Sequence, residues 1–336
     1  MNWRDRWILE EEEQLARVDE EFKDPGVLRL GAFTGASESR FANIRDMIET
    51  VRGVWENIDE FYAPLEGFTV QSTQANVLEL RSAVAENHSD AVVRAQFFGW
   101  RKPRRRAVII VPHWNATLGS YAAMSTALSW FGFAVFVITL PHHEGRRGSS
   151  AAIANEFLNA NLGAAISSVR QAVSEVRALI GWLRQAGFED VALVGVSLGS
   201  CIAGLVAAVD GRVRRAALLL TAGDFAETVW TGRATSHIRS AIGSGVTLSD
   251  LRKVWSIIST INFVDRYKAN KSKLLIISGR LDQVVLIRLS REFVVALRAA
   301  GVAVEWRILS CGHYTLGHMP YSFISVFRVI RFLRRR

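Results

Sequence analysis

The stretch Ala192-Leu-Val-Gly-Val-Ser-Leu-Gly-Ser200 holds the residues best suited to chemistry, because Ser197 stands between Gly195 and Gly199 where an apolar run gives way to a helix-compatible one. A serine hydroxyl becomes available as a nucleophile when a strand turns sharply into a helix and lifts it clear of the sheet. Such a turn has no room for β-carbons two residues to either side, a demand that glycine meets. The helix that follows aims its unpaired N-terminal amides at the same point, where negative charge develops during acyl transfer. The chemistry implied is attack on a carbonyl carbon.

At neutral pH a serine needs a base within hydrogen-bond reach and a carboxylate to orient that base. Asp282 is offered by Ser278-Gly-Arg-Leu-Asp-Gln-Val-Val285, and His313 by Ser310-Cys-Gly-His-Tyr314, each directly after a predicted strand. Functional loops of open parallel sheets lie at such strand ends. Two rivals stand nearby: Asp224 in Thr221-Ala-Gly-Asp224, and His318 in the same loop as His313. A hydrogen-bonded structural histidine is the ordinary alternative for either imidazole. Pro141-His-His-Glu-Gly-Arg-Arg-Gly148 invites a metal reading. Its candidate ligands are adjacent, however, and no second cluster has ligand spacing, so neither a metal nor a cofactor is expected. Arg146 and Arg147 of that loop could bind an acidic substrate group or pair with nearby carboxylates.

Around these residues the chain alternates. Trp3 to Lys23 reads as a helix with acidic residues in its first half, and Phe41 to Ile58 as a stronger amphipathic helix closed by Pro64. Val77 to Val84 and Ala91 to Trp100 read as an antiparallel strand pair, joined through Glu86-Asn-His-Ser-Asp90. Strands then follow at Ala107 to Val111, Phe133 to Leu140, Val191 to Val196, Val213 to Thr221, Leu274 to Ser278 and Val302 to Ile308. Helices at Tyr121 to Phe131, Ala164 to Ala186, Ser200 to Val209, Leu286 to Ala299 and Ser322 to Arg335 separate or close them. That rhythm predicts an α/β fold: a mostly parallel central sheet covered by helices on both faces. Phe225 to Lys273 interrupts the rhythm with helix-like material too long for a plain connection, which suggests a small cap. The expected organisation is an N-terminal helical extension over 1–75 and a main domain over 76–336, interrupted by a helical cap at 225–273.

The order Ser, Asp, His, on these element boundaries, resembles the α/β-hydrolase superfamily from about Val77 onward, roughly three quarters of the chain. The resemblance implies Ser197 as nucleophile, His313 as general base and then acid, and Asp282 as orienting acid. It also implies an oxyanion hole made of two backbone amides. Leu198 supplies one. The family's usual His-Gly is replaced here by Pro112-His-Trp-Asn-Ala116, so the other amide is that of Trp114, or of Asn115 if the match slips by one residue. His113 would then lie near the mouth, in contact with substrate or packed beside the serine.

A chain of 336 residues with 49% hydrophobic and 22% charged residues can bury a substantial core. The net charge of +9 is partly local, in Arg101-Lys-Pro-Arg-Arg-Arg106 and Arg334-Arg-Arg336. Solvated turns and tails account for such runs, and anionic membrane surfaces are a peripheral partner they would fit; no nucleic acid is expected. Cys201 and Cys311 read as two free thiols. No secretory signal and no apolar stretch of bilayer length is recognisable, so a cytoplasmic protein is expected. The function expected is cleavage of a small-molecule carboxylic ester, or thioester, through an acyl-enzyme without cofactor. A small-substrate peptidase of the same fold and a non-catalytic binding protein are the alternatives, and the N-terminal helices are the candidate surface for a homodimer.

Overall fold

The computed structural model describes the chain apart from residues 1–2, 21–22, 25, 32, 34–40, 65–69, 75, 83–90, 101–104, 147–153 and 336. Glu86 to Asp90, Arg101 to Arg104, Arg147 and Arg336 therefore lie outside the described residues. Nine strands form one sheet in the order β1-β2-β3-β5-β4-β6-β7-β8-β9. The first three, β1 (Val70–Gln74), β2 (Val77–Arg81) and β3 (Val92–Phe98), make an antiparallel meander. β3 then pairs antiparallel with β5 (Ala134–Ile138). From β5 onward the sheet is parallel, through β4 (Arg106–Val111), β6 (Asp190–Val196), β7 (Arg215–Leu219), β8 (Lys273–Gly279) and β9 (Ala303–Leu309). β1 was not foreseeable from apolar alternation, because Val-Gln-Ser-Thr-Gln has almost none. The sheet thus starts upstream of residue 76.

The central strands are apolar throughout because both of their faces are covered. Ile109 and Val111 point into one core while Val108 and Ile110 point into the other, as the twofold period of a strand requires. The helices before the sheet are α1 (Trp3–Glu20), α2 (Ile44–Glu56) and the short α3 (Ile58–Phe61). α4 (Ala122–Trp130) covers the second face, α5 (Leu162–Gln185) and α6 (Leu198–Val209) the first. The long excursion is helical: α7 (Phe225–Thr231), α8 (Ser236–Ile242), α9 (Leu248–Val254) and α10 (Val264–Ala269). α11 (Ile287–Ala299) and α12 (Tyr321–Arg334) close the chain.

Much of the excursion packs down on the sheet helices. Trp255 is fully buried with its indole N–H on the Leu162 carbonyl at 3.0 Å, and the Tyr267 hydroxyl donates to the Gly204 carbonyl at 2.9 Å. The apolar stripe of α2 buries Met47 and Val51 in the same core, and Tyr62 beyond α3 donates to the Ile257 carbonyl at 2.6 Å. That stripe is covered from within the chain. Among the described residues no helix is long and apolar enough to cross a membrane.

Of the two readings open for Arg146, pairing with a carboxylate is the one the structure shows. Arg146 donates to both oxygens of Glu175, at 2.8 and 2.7 Å, and to the Thr139 carbonyl at 3.0 Å, with both side chains out of solvent. The guanidinium therefore anchors the loop after β5 to α5 and does not face a substrate. Removing one partner leaves the other charged, buried and unpaired, a loss of about 3–5 kcal/mol. Urea unfolding of Glu175→Ala is expected to show a loss of that size, and Arg146→Met/Glu175→Leu is expected to recover most of it.

Candidate active site

The strand order reverses at β4, whose two neighbours are β5 and β6, and a crevice opens at such a switch point beyond the strand ends. The loops after β4 and β6 meet there. Ser197 turns out of β6 with φ 53° and ψ −121°, a conformation unfavourable for an L residue. A β-carbon on Gly195 would lie 2.4 Å from the Gly199 carbonyl oxygen, and one on Gly199 would lie 2.1 Å from that of Val111. Both glycines are thus demanded by close backbone approach. The turn is held by the Ser197 amide on the Leu219 carbonyl at 2.9 Å and the Ser200 amide on the Ser197 carbonyl at 2.8 Å.

The structure brings Ser197, His313 and Asp282 together. Ser197 Oγ lies 2.9 Å from His313 Nε2, and His313 Nδ1 lies 2.9 Å from Asp282 Oδ2. The other carboxylate oxygen accepts the amides of Val284 and Val285, both at 2.8 Å. Asp282 is therefore fixed by its own turn while Oδ2 faces the imidazole. Placing the ring proton on Nδ1 satisfies the carboxylate and leaves Nε2 to accept from the serine. Burial opposes a charge on His313, but Asp282, then Glu12 and Asp19, outweigh it and hold its pKa above the ordinary imidazole value.

Neither rival is hydrogen-bonded to Ser197 among the described residues, although His318 lines the same cavity. Asp224 caps α7 through the Glu227 amide at 2.9 Å and pairs with Arg252 at 2.7 Å. His318 is half-exposed, with Nδ1 3.9 Å from Glu11. In the 141–148 loop, His143 bonds the Pro141 carbonyl, His142 faces Glu156 and Glu144 accepts the Leu118 amide, so these side chains diverge. Both cysteines are free and buried, and burial pushes each thiol up to about 12.

Leu198, Trp114 and Asn115 line the cavity that contains Ser197. As the first residue of α6, Leu198 has no intrahelical acceptor for its amide. The His113 amide is taken by the Tyr121 hydroxyl at 3.1 Å, whereas those of Trp114 and Asn115 meet no acceptor among the described residues. Their side chains pin the loop: the Trp114 indole donates to the Ala154 carbonyl at 3.0 Å, and Asn115 Oδ1 accepts the Ala154 amide at 2.8 Å. His113 contacts the Tyr121 hydroxyl through Nδ1 at 2.6 Å. Burial, and then His313, lower its pKa to about 4, so it is neutral at physiological pH.

The sequence reading found no site residue in the N-terminal helices, yet α1 lies across this crevice. Glu12 is buried and accepts the amides of His313 at 2.8 Å and Thr315 at 2.7 Å, clamping the loop that carries the imidazole. Asp19 accepts from the Tyr314 hydroxyl at 2.8 Å and from Lys23 at 2.5 Å. Lys23 also donates to the Ala234 carbonyl at 2.9 Å and stands over the Trp114 ring. Pairs of Asp5 with Arg280, and of Glu13 and Glu20 with Arg233, complete the attachment. A signal did exist: Glu12 falls between Ile8 and Ala16 on the buried stripe of α1, where a charge without a partner would be costly. The cavity measures about 870 Å³ and is mainly apolar, with Leu15 and Val18 of α1 facing Met124, Val229 and Val285 of the main body.

No protein-family model matches this chain, and no curated protein sequence does. Solved structures with similar folds include an acylaminoacyl peptidase from Pyrococcus horikoshii, at TM-score 0.60 and 12% identity over 81% of this chain. This chain spans only 42% of that peptidase's length. An acetyl xylan esterase from Paenibacillus sp. R4 matches at TM-score 0.60 and 15% identity, covering 87% of this chain and 96% of the esterase. Est1E from Butyrivibrio proteoclasticus, solved with ferulic acid bound, matches at TM-score 0.54 and 15% identity, over 72% of this chain and 94% of its own.

Because Glu12 adds negative charge beside His313, Glu12→Gln, which removes that charge and keeps an acceptor for one of the two amides, is expected to lower the imidazole pKa toward its ordinary value, read from histidine NMR shifts during a pH titration. An unmoved titration would show that Glu12 acts only by holding the loop. Glu12→Ala is expected to loosen the loop as well, raising amide exchange at His313 and Thr315.

Proposed function

This chain has the α/β-hydrolase fold, and from that premise we propose that it is a serine hydrolase cleaving carboxylic esters through an acyl-enzyme. The observation that carries the reading is the unbroken line from Asp282 through His313 to Ser197, with 2.9 Å at each step. Ser197 Oγ attacks the carbonyl carbon as Nε2 of His313 takes its proton. Asp282 stabilises the imidazolium and keeps the ring in the required tautomer. The oxyanion is received by the amides of Leu198 and Trp114, at the N-terminal end of α6 and on the loop after β4. His313 then protonates the departing alkoxide, and water repeats the sequence on the acyl-enzyme.

The serine also selects among chemistries of this fold. An aspartate nucleophile would serve haloalkane or epoxide substrates, and Ser197 instead favours acyl transfer. The cavity's apolar walls suit an acyl chain or an aromatic acyl group, and the one Asp or Glu among its described lining residues, Asp19, is taken by Tyr314 and Lys23.

Fluorophosphonate labelling of the wild type, Ser197→Ala, His313→Ala and Asp282→Ala is the direct test, alongside a short-to-long p-nitrophenyl ester series. Labelling is expected to vanish in Ser197→Ala, and kcat in the other two to fall by on the order of 10⁴ to 10⁶ with unchanged circular dichroism. A folded wild type that neither labels nor turns over would refute the proposal. Since the base must be neutral, kcat/KM is expected to fall as pH drops through the raised pKa of His313. In Glu12→Gln that acid limb is expected to move to lower pH.

A further inference from the structure

The helices that line the cavity also expose aromatic side chains along their lengths, Trp130 and Phe131 lying toward the strand starts. Six Trp and Phe side chains are exposed among the described residues: Trp3 and Trp7 on α1, Trp130 and Phe131 at the end of α4, and Phe323 and Phe327 on α12. Met319, ahead of α12, is 73% exposed. The elements that carry them also line the cavity, through Leu15 and Val18 of α1, Met124 of α4, and Ser322 and Val326 of α12. They adjoin one another. The Arg334 guanidinium on α12 covers the Phe131 ring at 5.6 Å, and Glu12 of α1 holds the loop leading into α12.

α12 is apolar on two sides. Its inner side buries Val329, Ile330, Phe332 and Leu333 against the sheet, while Phe323, Phe327, Arg331 and Arg334 are exposed on the outer side. From His318 to the C-terminal residue there is no Asp or Glu, against Arg328, Arg331, Arg334, Arg335 and Arg336. Arg335 is paired with Glu305, whereas Arg331 meets no carboxylate among the described residues. α1 is net acidic, with Asp5, Glu10 to Glu13, Asp19 and Glu20 against Arg4, Arg6 and Arg17, but Asp5, Glu12, Glu13, Asp19 and Glu20 are held by partners within the chain and Arg4 and Arg6 are exposed.

Taking the hydrolase reading as its basis, we propose that α1, the end of α4 and α12 form a docking face for an anionic lipid membrane, so that the substrate is a lipid ester entering directly from that surface. Exposed indole and phenyl rings are suited to the boundary between headgroups and acyl chains, and arginine to the phosphates beside them. The charge argues against a second copy as the occupant. A twofold contact through α12 would bring two positively charged helices together, with no acidic residue on either to offset their arginines. Val18 of α1 is 61% exposed and also lines the cavity, so an apolar side chain stands both at the surface and in the site.

The test is flotation of the full chain with vesicles of phosphatidylcholine alone or mixed with phosphatidylglycerol at 7:3, at low and high salt. Binding is expected to be at least tenfold tighter to the mixed vesicles and to weaken with salt. Arg331→Gln is expected to lower it about fivefold, and Phe323→Ser/Phe327→Ser by more than tenfold, with p-nitrophenyl acetate hydrolysis in solution unchanged. Absent binding, or variants that float like the wild type, would overturn the proposal. So would a wild-type dimer by light scattering that Phe323→Ser/Phe327→Ser converts to monomer, since the face would then belong to a second copy. If the wild type floats but neither labels with fluorophosphonate nor hydrolyses esters, the hydrolase reading fails and the docking face stands.

Discussion

The contact on which the rest depends is the approach of the first turn of α6 to the end of β4. A β-carbon at Gly199 would overlap the Val111 carbonyl oxygen, so the helix can begin there only as glycine. That closeness sets the positive φ of Ser197 and puts its hydroxyl above the sheet. It also brings the start of α6 beside the 112–116 loop. The strain is local, and it is sustained by the apolar strands on either side, whose burial on both faces leaves the backbone no room to relax.

Around this turn the electrostatics are organised by distance in sequence and nearness in space. Asp282 faces the imidazole ring, whereas Glu12 holds the backbone that carries it. The first acts on ring tautomer and charge, the second on where the ring sits, and both favour the imidazolium. His113, close by and neutral, adds no opposing positive charge at physiological pH.

Most of the parallel core was legible because strands buried on both faces announce themselves as continuous apolar runs, and because glycine spacing around Ser197 has a steric meaning. Asp282 and His313 could be placed at strand ends by the same alternation. β1 was not legible, since edge strands need no apolar alternation and its residues are mostly polar. Nor was the role of α1, whose acidic run reads as a solvated face until the helix is docked. Only tertiary structure distinguishes Glu12, bound to two amides, from its exposed neighbour Glu10. For Arg146, local sequence left substrate binding and ion pairing equally open, and its partner lies 29 residues away on another element.

The clamp between Glu12 and the amide of His313 joins residues 301 apart. α1 can dock only on a loop that follows β9, after every strand of the sheet has been made. Its closure is among the longest-range contacts of the fold and carries a corresponding entropic delay. Until that loop is in place Glu12 lacks both amides it accepts, and a carboxylate buried without partners is costly. The pairing therefore ties the seating of α1 to completion of the loop that carries His313.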